Sequence, residues 1–162
     1  MRTMSMAVMA GAVAFAAGVA SADAPVPHQR AGLWETSMTM MGRPFLTQSC
    51  IDAASEEKMS VFSSQLRHRN CKSGAVTHNA DGSWTAVSVC EFTPGNVSTT
   101  RAIITGDFNS RIAMAMHTDR PGMPDMQMTM TWQGPCKPGM RGGDVIMGNG
   151  MKMNMLDAPA AQ

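Results

Sequence analysis

Methionine thioethers are the most unusual chemical resource of this chain: 19 of its 162 residues are Met, and several recur at a spacing of two. Met114 and Met116 form one set, and Met126, Met128 and Met130 another, so each set projects from a single face of an extended strand. Between them, Asp119-Arg120-Pro121-Gly122-Met123-Pro124 reads as a hairpin turn. A hairpin centred on Pro121 sets Met116 across from Met126, Met114 from Met128 and Ile112 from Met130. The product is a sheet face rich in sulfur, and three uses compete for it. It is core, because Met is a flexible hydrophobe and the chain has five Phe and no Tyr to fill the same space. It is the lining of an adaptable pocket for a small apolar ligand. Or it captures a soft metal such as Cu(I) or Ag(I), with Met123, Met126, Met128 and Met130 as first candidates, His117 nearby, and Met151, Met153 and Met155 as a second cluster. Exposed thioethers also absorb oxidant as sulfoxide.

The second sulfur resource is Cys50, Cys71, Cys90 and Cys136, an even number that argues for two disulfides in an exported protein. A zinc site of four thiolates is the competing use, but no Cys-x-x-Cys occurs. Asn79-Ala80-Asp81-Gly82 is a turn signal between Ala75-Val76-Thr77 and Trp84-Thr85-Ala86-Val87. A turn centred between Ala80 and Asp81 places Cys71 opposite Cys90, which leaves Cys50 for Cys136. On the chain-entropy model the longer loop contributes about 4 kcal/mol and the shorter roughly 3.

Catalytic patterns are weak by comparison. His28, His68, His78 and His117 are scattered, and no metalloprotease, nucleophile-elbow or phosphate-loop motif occurs. Asp119 and Asp125 flank a turn and read as turn formers. No nucleophile, base and orienter fall at a spacing that would unite them, so the expected protein is not an enzyme. Trp34, Trp84 and Trp132 lie on three strands, on the faces expected to be buried, as core or as a stacking platform.

The elements that must position these groups follow from local pattern. Residues 1–22 carry Arg2, an apolar run from Met6 to Val19 and Ala20-Ser21-Ala22, the make-up of a secretory signal peptide cut before Asp23. The run is too short to span a bilayer, and no Cys follows for a lipid anchor. The formal charge of +1 includes Arg2, so the mature chain is near neutral. That disfavours nucleic acid and membrane surfaces as partners. Residues 23–30 read as an extended linker. Gly32 to Met40 alternates with period two, and Gly42-Arg43-Pro44 turns into a strand from Phe45 to Cys50. A helix capped by Asp52 follows, with Met59, Phe62 and Leu66 on one face. Then come the cysteine hairpin to Phe92, a strand from Val97 to Thr105, Arg111 to Thr118 and Met126 to Trp132. Seven strands in consecutive hairpins with one helix predict a mainly β, antiparallel meander forming a half-open barrel or sandwich over 31–136. Residues 137–162, rich in Met and Gly, read as a mobile tail.

Ala31-Gly32-Leu33-Trp34-Glu35, Gln48-Ser49-Cys50, Cys71, Trp84 with Cys90, and Met126-Gln127-Met128-Thr129-Met130 before Cys136 resemble a bacterial family of small exported proteins catalogued as a domain of unknown function. Members carry Thr-Pro after the first cysteine, where this chain has Ile51-Asp52. The resemblance covers roughly residues 30–136 and implies a periplasmic, single β-rich domain with no established activity. The expected function is thus a periplasmic, non-catalytic module that binds a small apolar ligand or an envelope protein. The alternative is a Cu(I)- or Ag(I)-binding protein using the thioethers named above; no other cofactor is expected.

Overall fold

The computed structural model describes residues 25–40, 43–63 and 71–157. The expected signal peptide at 1–22, residues 23 and 24 of the linker, Leu66, His68 and residues 158–162 lie outside them. Nine strands and a helix follow in chain order: β1 (Gly32–Met40), β2 (Arg43–Ile51), α1 (Ala53–Met59), β3 (Cys71–His78), β4 (Trp84–Thr93), β5 (Asn96–Gly106), β6 (Arg111–Thr118), β7 (Met126–Gly134), β8 (Asp144–Met147) and β9 (Lys152–Asn154). All pairings are antiparallel within one open sheet, in the order β3-β4-β5-β6-β7-β1-β2-β8-β9. The mainly β reading holds, as a single open sheet. β3 to β7 is the expected meander. It is then interrupted, because β7 pairs with β1 and the chain must pass β1 and β2 before β8 joins the sheet.

The thioether hairpin has the register that its turn dictates: Ile112 faces Met130, Met114 faces Met128 and Met116 faces Met126. The cysteine hairpin is subtler. Its body is centred on Asp81, one half-step beyond the expected centre, so that Val76 faces Ala86 and Ser73 faces Val89. A bulge between Cys71 and Ser73 absorbs the extra residue and returns Cys71 to a position opposite Cys90. Disulfides join Cys71 to Cys90 and Cys50 to Cys136, and all four sulfurs are thereby withdrawn from metal ligation.

Two expectations are corrected. Residues 137–157 are not a mobile tail: β8 and β9 form a hairpin that extends the sheet from β2. Strands of four and three residues are too short to show period two, and the unpaired edge of β2 supplies the template that orders them. Residues 28–30 are likewise more than a linker. Gln29 is buried, His28 Nδ1 lies 2.9 Å from Glu56, and the Arg30 amide donates to the Phe108 carbonyl at 2.8 Å.

The core occupies one face of the sheet. Trp84, Ala86, Ala102, Ile104, Ile112, Met114 and Met130 pack under Val61, Phe62 and Phe108, the first two contributed by the chain just after α1. Phe62 meets Trp84 edge-on and stacks on Phe108, both with ring centres 5.7 Å apart. Phe108 sits in the β5–β6 turn at φ 58°, a left-handed conformation unusual for a bulky residue. Asp107 holds it there, accepting from the amides of Asn109, Ser110 and Arg111 and from the Ser110 hydroxyl. These donors keep the Asp107 carboxyl far below the usual carboxylate range.

The β1–β7 joint explains the Gly-Leu-Trp-Glu opening. Trp34 is fully buried and its Nε1 donates to the Arg30 carbonyl at 2.7 Å, while Trp132 Nε1 donates to the Ala31 carbonyl at 3.1 Å. The Arg30 guanidinium lies 3.7 Å from the Trp132 ring centre. Gly32 passes between these groups at φ 133°, and a Cβ there would overlap Trp132 Nε1 and the Gly134 carbonyl oxygen. Gly122 also has positive φ, but nothing lies within 4 Å of its Cβ position. Gly32→Ala is therefore expected to lower stability by about 2 kcal/mol or more than does Gly122→Ala. Urea midpoints for the two variants measure the difference; equal losses would mean that the joint tolerates a methyl group.

Candidate functional site

The inner face of the sheet changes character across the β1–β7 joint. One row of partners runs Ile112, Met130, Thr36, Thr47, Met147 from β6 through β7, β1 and β2 to β8. The adjoining row runs Trp132, Trp34, Ser49, Val145. On the β4–β7 side these positions are apolar and covered by Phe62 and Phe108. On the β1–β2 side they carry hydroxyls, and the cover stops.

A cleft of about 470 Å³ opens there between α1 and the sheet. Met128, Met130, Met59, Val61, Val145 and Met155 form apolar walls, contributed by β7, α1 and the chain after it, β8 and the segment following β9. Thr36, Thr47 and Ser49 form the floor, and Lys58 and Ser63 also line the cleft. Thr36 and Ser49 are each 7% exposed, and their hydroxyls, which make no side-chain hydrogen bond among the described residues, open onto the cleft. The volume falls within the range of about 300 to 1,000 Å³ common for small-molecule sites.

The helix that closes one side is anchored at its start. The Asp52 carboxylate accepts from the Ser55 amide at 2.8 Å, and the Ser55 hydroxyl accepts from the Asp52 amide at 2.8 Å. The Ser55 amide, and after it the Ser55 hydroxyl, which also donates to the carboxylate at 2.9 Å, hold Asp52 below the usual carboxylate range. Gly142 abuts the same carboxylate with no room for a side chain, and the Gly143 amide donates to the Cys50 carbonyl at 2.9 Å. The C-terminal hairpin is thus fastened beside α1 and the Cys50–Cys136 bridge.

The expected thioether candidates are divided by this arrangement. Met128 and Met130 line the cleft. Met126 instead lines a smaller cavity of about 170 Å³ with Met116, His117, Asp125 and Arg101. Met123 is exposed in the β6–β7 turn. In the second expected cluster, Met151 and Met153 are exposed, and only Met155 reaches the cleft. Met59 joins them from α1. Its part in the site depends on how the helix docks, and that of Met155 on how β8 and β9 add to β2, so strand spacing has no signal for either.

His117 Nδ1 lies 2.6 Å from Asp125, so this carboxylate does more than form a turn, and both side chains are exposed. Asp119 keeps the turn role, accepting from the Thr99 amide at 2.8 Å and the Ser98 hydroxyl at 3.0 Å. Those bonds lower its carboxyl pKa. Among the described residues, no three His, Cys, Asp or Glu side chains are grouped to hold a metal ion, and no helix is long and apolar enough to cross a membrane. A basin of about 580 Å³ beside the C-terminal hairpin is lined by charges already matched: Arg141 with Asp157, and Lys152 with Asp144 at 2.8 Å.

A family model described as "Protein of unknown function (DUF3617)" matches residues 29–136. No curated protein and no solved structure matches the chain. The matched span contains the cleft floor and the β7 thioethers and ends before Val145 and Met155.

Asp144 secures the hairpin that carries those last two walls. It is 3% exposed and accepts from Lys152 Nζ and, at 2.8 and 2.9 Å, from Asn154 Nδ2 and the Arg141 amide. The Lys152 bond, followed by the Arg141 and Asn154 bonds, pulls its carboxyl far below the ordinary value of 3.8. A depressed folded-state value means stability that is fully present above the unfolded value and is lost as pH falls toward the folded one. Amide exchange protection at Val145 and Ile146 is therefore expected to hold from pH 7 to about 4 and to decline below that. Protection that instead declines between pH 7 and 5 would assign the latch to a different group.

Proposed function

The chain belongs to this family, which brings no activity with it, and we propose from the geometry that it is a non-catalytic binding module for a small apolar ligand held in the methionine-lined cleft. The observation that carries the reading is the convergence of Met59, Met128, Met130 and Met155, from three separate parts of the chain, around one opening of ligand size. Thioether side chains are unbranched and polarizable, so they refit to ligands of different outline at little cost. Two disulfides suit an oxidising compartment, and the proposed location is the periplasm. The partner is a molecule small enough to enter the cleft; an envelope protein as the source of that ligand is compatible with the same role.

Capture of Cu(I) or Ag(I) is the second reading, and the same convergence favours it at Met59, Met128, Met130 and Met155 over the set on β7 alone. Size argues for the first. The cleft is more than ten times the roughly 30 Å³ that one water occupies in the liquid, whereas a bound ion needs three sulfurs drawn tightly about a point.

A neutral apolar dye such as N-phenyl-1-naphthylamine is expected to brighten on binding the full chain. Met155→Asp, at an exposed wall position, is expected to weaken that binding about tenfold or more, consistent with the roughly 1.5 to 3 kcal/mol attached to burying such a side chain. An unchanged dissociation constant would remove the cleft as the site. An anaerobic Cu(I) titration of the native chain and of a variant with Leu at 59, 128, 130 and 155 separates the readings: equal weak uptake leaves the apolar ligand, and stoichiometric uptake lost in the variant installs the metal.

A further inference from the structure

Resting on that reading of the cleft, we infer that its ligand is a single-chain alkyl carboxylate, a fatty acid, with its chain along the methionines and its head on Lys58 and the hydroxyl floor. Three features of the lining select this chemistry. The first is the floor itself. Thr36 and Ser49 line the cleft, and their hydroxyls open onto it and make no side-chain hydrogen bond among the described residues. An oxygen acceptor on a ligand would therefore gain an ordinary hydrogen bond at each, a net contribution of roughly 0.5 to 1.5 kcal/mol apiece. Thr47, paired directly with Thr36 across the strands, adds a third donor to the same strip.

The second feature is Lys58. Its side chain lines the cleft and meets no carboxylate among the described residues, whereas Lys152 is bonded to Asp144, Lys137 to Gln48 and Arg141 to Asp157. Long lysine stems lie along apolar surface and keep the ammonium at its edge. Lys58 therefore offers one positive charge where a chain on the methionines would end.

The third is that no competing acid lines the cleft among the described residues. Glu56, two residues before Lys58, is turned toward His28 and the Gln29 amide, and Asp144, beside Val145, is turned toward Lys152 and Asn154. Among the described residues, one ammonium, three hydroxyl donors and no carboxylate line the cleft, a set that matches a head of one negative charge with two acceptor oxygens. Among the described residues of the lining, a zwitterionic head would find no carboxylate for its ammonium, and a dianionic phosphate monoester would meet only the single charge of Lys58.

The test is calorimetric titration of the full chain with laurate, with dodecanol and with dodecylphosphocholine, which share a twelve-carbon chain and differ in the head. Laurate is expected to bind about tenfold more tightly than dodecanol. Lys58→Gln, an exposed change on the helix surface, should remove most of that advantage while leaving dodecanol within twofold. Thr36→Val with Ser49→Ala should weaken laurate severalfold, with unfolding midpoints recorded to show that the fold is kept. Equal binding of laurate and dodecanol, or laurate binding indifferent to Lys58→Gln, would overturn the head-group assignment and leave the cleft reading standing. Tightest binding by dodecylphosphocholine would replace the fatty acid with a zwitterionic lysolipid. Failure of all three ligands to bind would overturn the cleft reading itself.

Discussion

Continuity of the sheet depends on the pairing of β1 with β7, strands roughly a hundred residues apart in the chain. Closing so long a loop is entropically unfavourable, and contacts of this range form late and slowly. The joint offsets that cost with a concentrated set of interactions: a buried Trp34, two indole-to-carbonyl hydrogen bonds, an arginine over Trp132, and Gly32 where any side chain would collide. The Cys50–Cys136 disulfide ties the end of β2 to the segment just after β7, and so limits how far the two halves can separate. Without this joint the molecule would be a five-stranded meander and a four-stranded remnant. The cleft would lose its floor from one and its sulfur wall from the other.

The same joint divides the inner face into two kinds of surface. From β4 to β7 the core positions Trp84, Ala86, Ala102, Ile104, Ile112, Met114 and Met130 are apolar and lie under Val61, Phe62 and Phe108, while Ser88 and Ser98 are also buried on β4 and β5. Phe108 reaches this position only because Asp107 organises the turn around a left-handed backbone, so a small exposed network supports a large buried contact. Beside Trp34 and Ile51, which join the core, β1 and β2 present Thr36, Thr47 and Ser49 to the cleft, and among the described residues no aromatic side chain lines it. A surface that is enclosed but polar at its base, and flanked by deformable thioethers, is suited to holding a molecule with both kinds of group. Packing alone would have been served by Val or Leu at the three hydroxyl positions.

The C-terminal hairpin completes one wall of that cleft by an economical route. A sheet edge offers unpaired amides and carbonyls, and β8 satisfies those of β2 through only three registered residue pairs. So few pairs need reinforcement, and Asp144 supplies it with three donors gathered at one buried carboxylate. Gly142 allows the chain to lie against the helix cap, which links the hairpin, α1 and the Cys50 carbonyl into one corner. The wall is thus held by polar contacts, which makes its position responsive to acid in a way that the apolar core is not.

What the sequence determined by itself was everything governed by local period and turn chemistry. The alternation of Met126, Met128 and Met130 and the Pro121-Gly122 turn set their register against β6, because a one-residue slip would turn every thioether outward. The cysteine hairpin was legible as well, although a bulge at Cys71 was needed to reconcile a turn centred on Asp81 with the pairing of Cys71 and Cys90. Tertiary structure alone decided the rest. The β1–β7 joint, the hairpin at 144–154 and the meeting of Met59 and Met155 with Met128 and Met130 all join segments remote in the chain. Their pairing is selected by burial and by unsatisfied edges, and neither leaves a spacing to read in a one-dimensional string.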